Sequence, residues 1–121
     1  MDDGGGQDLY ERQVRYLEEK RTDEMVDHHY ADDATFVTFG NVVRGREALK
    51  EMFRGYLESV GFLKVLSTDK FAETSDTILF EATVNSSLGQ SRVYDAFVLR
   101  EGKILYHFAG VIDDEAPADT S

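Results

Sequence analysis

At Gly61 the chain leaves its last helical period and takes up a strand-like one that it keeps to the end of its last apolar run. Before that point Ala48, Leu49, Met52, Phe53, Tyr56, Leu57 and Val60 recur at intervals of one, three and four residues, the pattern of one helix face. From Phe62 onward, turn signals at Ser75-Asp76, Leu88-Gly89-Gln90 and Glu101-Gly102 divide the sequence into four long segments rich in β-branched and aromatic residues. Strands joined by such short turns pair antiparallel, so a four-stranded meander is predicted. The segments Ile78 to Val84 and Val93 to Leu99 carry apolar side chains at both odd and even positions. That predicts a sheet covered on both faces, by helices on one and by a second subunit on the other.

The N-terminal half supplies the helices. Asp8 and Glu11 form a candidate capping box for a helix to about Lys20, with Tyr10, Val14 and Leu17 on its apolar side. Thr22 is a candidate cap for a second helix, in which Met25, Val26, His29 and Tyr30 face a core while Asp23, Glu24 and Asp27 face water. Beyond Ala31-Asp32-Asp33-Ala34, the run Thr35-Phe36-Val37-Thr38-Phe39 reads as a first strand ending in a turn at Gly40-Asn41. Residues 1–7 and 114–121, rich in Gly, Asp, Ala, Pro and Ser, are expected to be disordered tails flanking one domain over 8–113.

Composition narrows the partners. The net charge of −11 is concentrated at the ends: over residues 9–112, 17 acids face 13 bases, a net of −4. A nearly balanced core with acidic ends lacks the basic patch that nucleic acid or an anionic membrane requires. With no Cys there is no disulfide, thiolate metal site or cysteine nucleophile. No apolar run approaches the ~18 residues of a membrane span, and the acidic N-terminus is unlike a secretion signal. A cytoplasmic location is expected.

Two or three helices, a short hairpin, a helix and a long meander is an order shared with the nuclear transport factor 2-like superfamily. Three stretches carry the resemblance. His28-His29-Tyr30-Ala31-Asp32-Asp33-Ala34-Thr35-Phe36 resembles the aromatic-Ala-Asp-Asp-Ala signature. Val43-Arg44-Gly45-Arg46-Glu47-Ala48-Leu49 resembles the family's helix entry, and Gly102-Lys103-Ile104 with His107-Phe108 resembles the last strand of SnoaL-like proteins. The similarity spans residues 9–113. It implies an α+β fold in which a cone-shaped, curved, antiparallel (mixed) sheet wraps around three helices and encloses an apolar pocket. It does not fix the function, because one fold serves many chemistries.

Three chemistries of this superfamily each lose a piece in this sequence. Resemblance to ketosteroid isomerases makes Tyr16 the oxyanion-hole tyrosine and Asp95 the protonated acid beside it, but Thr38 stands where the carboxylate base belongs. Resemblance to SnoaL-type polyketide cyclases asks for an Asp two residues after the last-strand His, and that residue is Ala109. The Arg-x-Asp pattern of limonene epoxide hydrolases is missing, since Arg92 and Asp95 point to opposite faces of a regular strand.

What remains is a polar cluster of Asp95, His107 and Tyr16, with Glu81 as a further candidate of ambiguous strand parity. Period-two counting aligns His107 with Ala109 and Val111, and Asp95 with Val93 and Phe97. An Asp beside a His in an apolar cone can hold the imidazole in one tautomer and yield a general acid/base that needs no metal or cofactor. The same two residues also suit a purely structural, hydrogen-bonded pair. Phe36, Thr38, Met52, Phe53, Glu81, Phe97, Ala109 and Val111 are the expected ligand contacts. His28 and His29 are adjacent and diverge on a helix, and His28 with Asp32 lacks a third ligand, so no metal site is expected. The reading is a homodimer that binds a small, largely hydrophobic molecule, with isomerase- or cyclase-like proton transfer. The alternative is a non-catalytic ligand-binding or dimerisation module of the same fold.

Overall fold

The computed structural model describes residues 5–112. Of the expected tails, residues 1–4 and 114–121 lie outside the described residues, as does Asp113 of the expected domain, while residues 5–7 are helical. The elements are α1 (Gly5–Glu18), α2 (Thr22–His29), β1 (Tyr30–Thr38), β2 (Asn41–Arg44), α3 (Arg46–Val60), β3 (Leu63–Glu73), β4 (Thr77–Ser86), β5 (Gly89–Arg100) and β6 (Lys103–Ile112). The six strands form one curved sheet in the order β2-β1-β6-β5-β4-β3. Every neighbouring pair is antiparallel except β1 and β6, which run parallel. The predicted meander is therefore β3 to β6, and the mixed character comes from β1 joining its last strand.

Several local expectations are corrected. Asp8 is inside the first turn of α1, where it pairs with Arg12 at 2.6 Å instead of capping; a carboxylate there still meets the positive end of the helix dipole. Thr22 is the first buried residue of α2, and Arg21, at the cap, makes no side-chain capping bond. The Ala31 to Ala34 stretch belongs to β1 and is not a connection. Its pairing with β6 shifts register between Tyr30 and Thr35, so the extra residues bend the strand. Phe39 lies in the β1–β2 turn and is fully exposed, and Gly89 opens β5, with the turn at Ser87-Leu88.

Period-two geometry decides which residues meet. On the concave face of β4, Ile78, Phe80, Ala82 and Val84 are buried. Across β5 and β6, the register pairs Phe97 with His107, Asp95 with Ala109 and Val93 with Val111 on that same face. Met25, Val26, Tyr30, Leu49 and Ile104 are fully buried and tie the helices to the sheet. Arg46, at the start of α3, donates from Nε and Nη2 to the carbonyl of Tyr30 at 3.0 and 2.8 Å and also pairs with Asp32 at 2.9 Å. This clamp holds the bend in β1 against α3.

The α3 stripe ends where the sequence predicts. Gly61 has φ +78°, in the left-handed region that an L side chain rarely adopts, and a Cβ there would meet Ser87 Oγ at 2.9 Å. The convex face of the sheet is not covered by any described element: Leu79, Tyr106 and Phe108 are exposed on it, with Tyr106 and Phe108 stacked at 6.0 Å.

Candidate functional site

The concave face of the sheet and the helices leave a cavity of about 280 Å³ between them. Its wall is aromatic and aliphatic. Phe36 from β1, Met52 and Phe53 from α3, Phe97 from β5, and Ala109 and Val111 from β6 all line it. Asp95 and His107 are the only charged or imidazole side chains in the described lining. Apolar walls with a few converging polar groups are the usual form of a small-molecule site.

Asp95 and His107 meet inside this cavity. His107 Nε2 lies 2.6 Å from Asp95 Oδ2, within the range of a charge-assisted bond. The His107 ring is buried and boxed by aromatic edges, with Phe36 and Phe97 each 4.6 Å away at 89° and 79°. The Asp95 carboxyl is raised above the usual carboxylate range, because burial disfavours its charge; the bond to His107 pulls the other way and does not cancel it.

The other ring nitrogen of His107 is engaged too. Nδ1 is 2.8 Å from the Tyr30 hydroxyl, which in turn accepts from Gln13 Nε2 at 2.9 Å. Gln13 Oε1 is 2.7 Å from His29 Nδ1. All four side chains are buried. Burial pushes the Tyr30 phenol up, and burial together with the charges of Arg12, His28 and Lys103 lowers His29 to about 4. The buried line therefore runs from His29 through Gln13, Tyr30 and His107 to Asp95.

Two expected site residues fall elsewhere. Tyr16 is not in the cavity wall; its hydroxyl meets His28 Nδ1 at 2.7 Å and its ring lies edge-on to His29. The face of α1 that meets the cavity is Tyr10, Gln13, Val14 and Leu17, and Tyr16 is turned from it toward α2. Glu81 sits on the convex face, since Phe80 and Ala82 on either side of it take the concave one. There it pairs with Arg92 at 3.1 Å and Lys70 at 3.7 Å. Thr38 lines the cavity as expected, but its hydroxyl serves the β1–β2 turn, donating to the Asn41 carbonyl and accepting from Gly40 N–H. Among the described residues no group of three metal-type ligands is assembled.

Gln13 and Tyr30 belong to the site without being singled out by the sequence. A signal for Gln13 exists: it sits in the stripe Tyr10, Val14, Leu17 of an amphipathic helix, and a polar side chain there must be buried against a partner. Tyr30 is readable as core, but nothing local indicates that its hydroxyl reaches a histidine 77 residues away.

A model of the SnoaL-like domain matches residues 10–107, from Tyr10 of the cavity wall to the histidine of the pair. The chain belongs to the SnoaL-like family. Solved structures share the architecture of this SnoaL-like domain. A nuclear transport factor 2-like protein from Anabaena variabilis is 21% identical, with 94% of each chain covered and a TM-score of 0.78. A protein described as a candidate polyketide cyclase from Sinorhizobium meliloti is 15% identical over 85% of this chain and 94% of its own, with a TM-score of 0.74. TerC, crystallised with polyporic acid, is 13% identical over 94% of this chain and 96% of its own, with a TM-score of 0.75. At these identities the likeness is one of fold. No curated protein matches the sequence closely enough to count as a relative. No helix of the described SnoaL-like domain is long and apolar enough to cross a membrane.

Proposed function

We propose that this SnoaL-like domain binds a small, uncharged, largely apolar molecule in the concave cavity and moves a proton on it with the Asp95–His107 pair. The observation that carries the reading is the 2.6 Å bond between these two side chains inside a mainly apolar wall that holds no other charged or imidazole group. A carboxyl raised by burial is closer to neutral pH than an ordinary one, which suits it to both giving and taking a proton. Volume limits the ligand. An apolar cavity of ~150 Å³ takes one benzene ring, so about 280 Å³ suits a molecule about two rings in size. The described wall offers no Lys or Arg to a carboxylate or phosphate, and Asp95 opposes either one. Isomerisation or ring closure of a carbonyl compound by proton transfer fits these limits.

The test is mass spectrometry of molecules retained through native purification, followed by turnover of the retained compound. An uncharged, mainly apolar mass is expected, with turnover falling roughly 10²- to 10⁴-fold in Asp95→Asn, the usual range for losing acid–base assistance. A retained compound recovered chemically unchanged after prolonged incubation points instead to the binding module without catalysis. Turnover untouched in Asp95→Asn removes the pair from the chemistry.

The same reading includes a homodimer through the convex face. Leu79, Tyr106 and Phe108 are exposed together there, and apolar side chains grouped on a sheet face mark an interaction surface more often than a solvated one. Light scattering at micromolar concentration is expected to give twice the chain mass for the wild type and the single mass for Phe108→Glu. A wild type that stays monomeric at its solubility limit rules the dimer out.

A further inference from the structure

We propose that the buried line of hydrogen bonds from His29 to Asp95 runs in one direction and makes Oδ1 of Asp95 the atom that exchanges the proton, with His107, Tyr30 and Gln13 as positioning residues. This rests on the proton-transfer reading above and adds to it the atom and the direction.

The direction follows from which atoms can only give or only take. The amide oxygen of Gln13 accepts and cannot donate, so His29 Nδ1, 2.7 Å away, carries a hydrogen. The amide nitrogen of Gln13 donates and cannot accept, so the Tyr30 oxygen receives that bond. Tyr30 then has one hydrogen of its own, and the group left to take it is His107 Nδ1 at 2.8 Å. An imidazole that accepts at Nδ1 holds its hydrogen at Nε2, and Nε2 faces Asp95 Oδ2. Each residue thus fixes the next, and Oδ2 ends the line as an acceptor.

The consequence concerns the second carboxyl oxygen. With Oδ2 occupied by the Nε2 hydrogen, a proton arriving on Asp95 goes to Oδ1. No described residue hydrogen-bonds Oδ1, and no buried side-chain polar atom of the described residues is without a partner. Oδ1 is therefore an accessible atom, and Asp95 is part of the cavity wall. In the acid form Oδ1 gives its proton to a basic atom of the ligand and keeps the bonding electron pair. In the base form Oδ1 takes a proton from a ligand C–H or O–H, whose electrons stay on the ligand. No proton crosses His107 in either direction. The Arg46 clamp on the Tyr30 carbonyl holds the middle of the line in place.

The line is read directly from the nitrogen chemical shifts of histidine-labelled, ligand-free protein at neutral pH, which separate protonated from bare ring nitrogens. His107 is expected to be bare at Nδ1 and protonated at Nε2, and His29 protonated at Nδ1. Gln13→Glu replaces the donor to Tyr30 by an acceptor, so Tyr30 turns its hydrogen to residue 13 and His107 is expected to become protonated at Nδ1, with the hydrogen between Nε2 and Asp95 Oδ2 then carried by the carboxyl. Should that variant fail to fold, Tyr30→Phe removes the hydrogen aimed at Nδ1, and His107 is expected to become a mixture of the two forms. A wild-type His107 protonated at Nδ1, or at both nitrogens, overturns the proposal. So does a His107 whose form is unchanged in a folded Gln13→Glu or Tyr30→Phe. Because this measurement needs no ligand, a failed line leaves the cavity reading standing, and a correct line beside an inert pair removes only the catalysis.

Discussion

Phe97→Ala should lower the unfolding free energy by about 3–5 kcal/mol, the range for truncating a buried Phe. Phe97 has no exposed surface, packs edge-on against both Phe80 at 5.6 Å and His107 at 4.6 Å, and forms part of the cavity wall. Removing it costs the transfer of the ring and leaves a hole adjoining a space that is already open, so the surroundings gain little by closing in. Domains of this size are stable by only ~5–15 kcal/mol, so the loss is a large share of the total. Denaturant unfolding of wild type and variant under identical conditions measures the difference. A loss below about 1 kcal/mol would mean that the cavity collapses onto the vacated volume, and that the space in the wild type is not rigidly maintained.

Acid should weaken the fold through His29 before it weakens it through the carboxylates. His29 is lowered from its ordinary 6.5 to about 4, so between those values the unfolded chain binds a proton that the folded chain refuses. Stability is thus fully present above pH 6.5 and falls with pH through about 4, by a total on the order of 3 kcal/mol. Asp95 has the opposite sign. Its raised carboxyl takes up a proton in the folded chain first, so acidification through that range stabilises the fold and offsets part of the loss. Asp27, Asp33 and Glu24, held low by Lys50, Arg100 and Arg21, begin to withdraw their contribution only as the pH falls through the carboxylate range. His29→Asn keeps a donor for Gln13 Oε1 and removes the titration. Unfolding free energies measured from pH 7 to 4 should decline in the wild type and stay nearly level in the variant. Parallel curves would show that His29 is not the proton acceptor.

The parts of the site legible in the sequence are those set by a regular strand. Counting in twos aligns Asp95 with Phe97 and His107 with Ala109, and the two meet because β5 and β6 are adjacent with Phe97 opposite His107. The same count leaves Glu81 undecided, because Leu79 and Phe80 are both apolar and only burial of Phe80 against the helices chooses the face. Tyr16 shows the limit for helices: its spacing gives a position on α1 but not which neighbour α1 turns toward, and α2 takes that side. Tyr30 and Gln13 were hidden for a different reason. Their partners are 77 and 16–17 residues away, joined by packing that no local pattern encodes. The fold order is legible because the switch to strand period after Gly61 and three turn signals admit few arrangements. The parallel seating of β1 beside β6 was not, since both strands read alike whichever neighbour they take.

That seating carries a cost during synthesis. The last of the described strands occupies the interior of the sheet, between β1, the first strand made, and β5. While the ribosome is still adding Lys103 to Ile112, the β1–β2 hairpin has α3 to rest on but no neighbouring strand, and Tyr30 waits for a histidine not yet translated. The nascent chain must shield both half-sheets until β6 is added, and contacts this distant in sequence close slowly. A premature stop ahead of Lys103 would therefore yield two unjoined half-sheets and a substrate for chaperones or proteases.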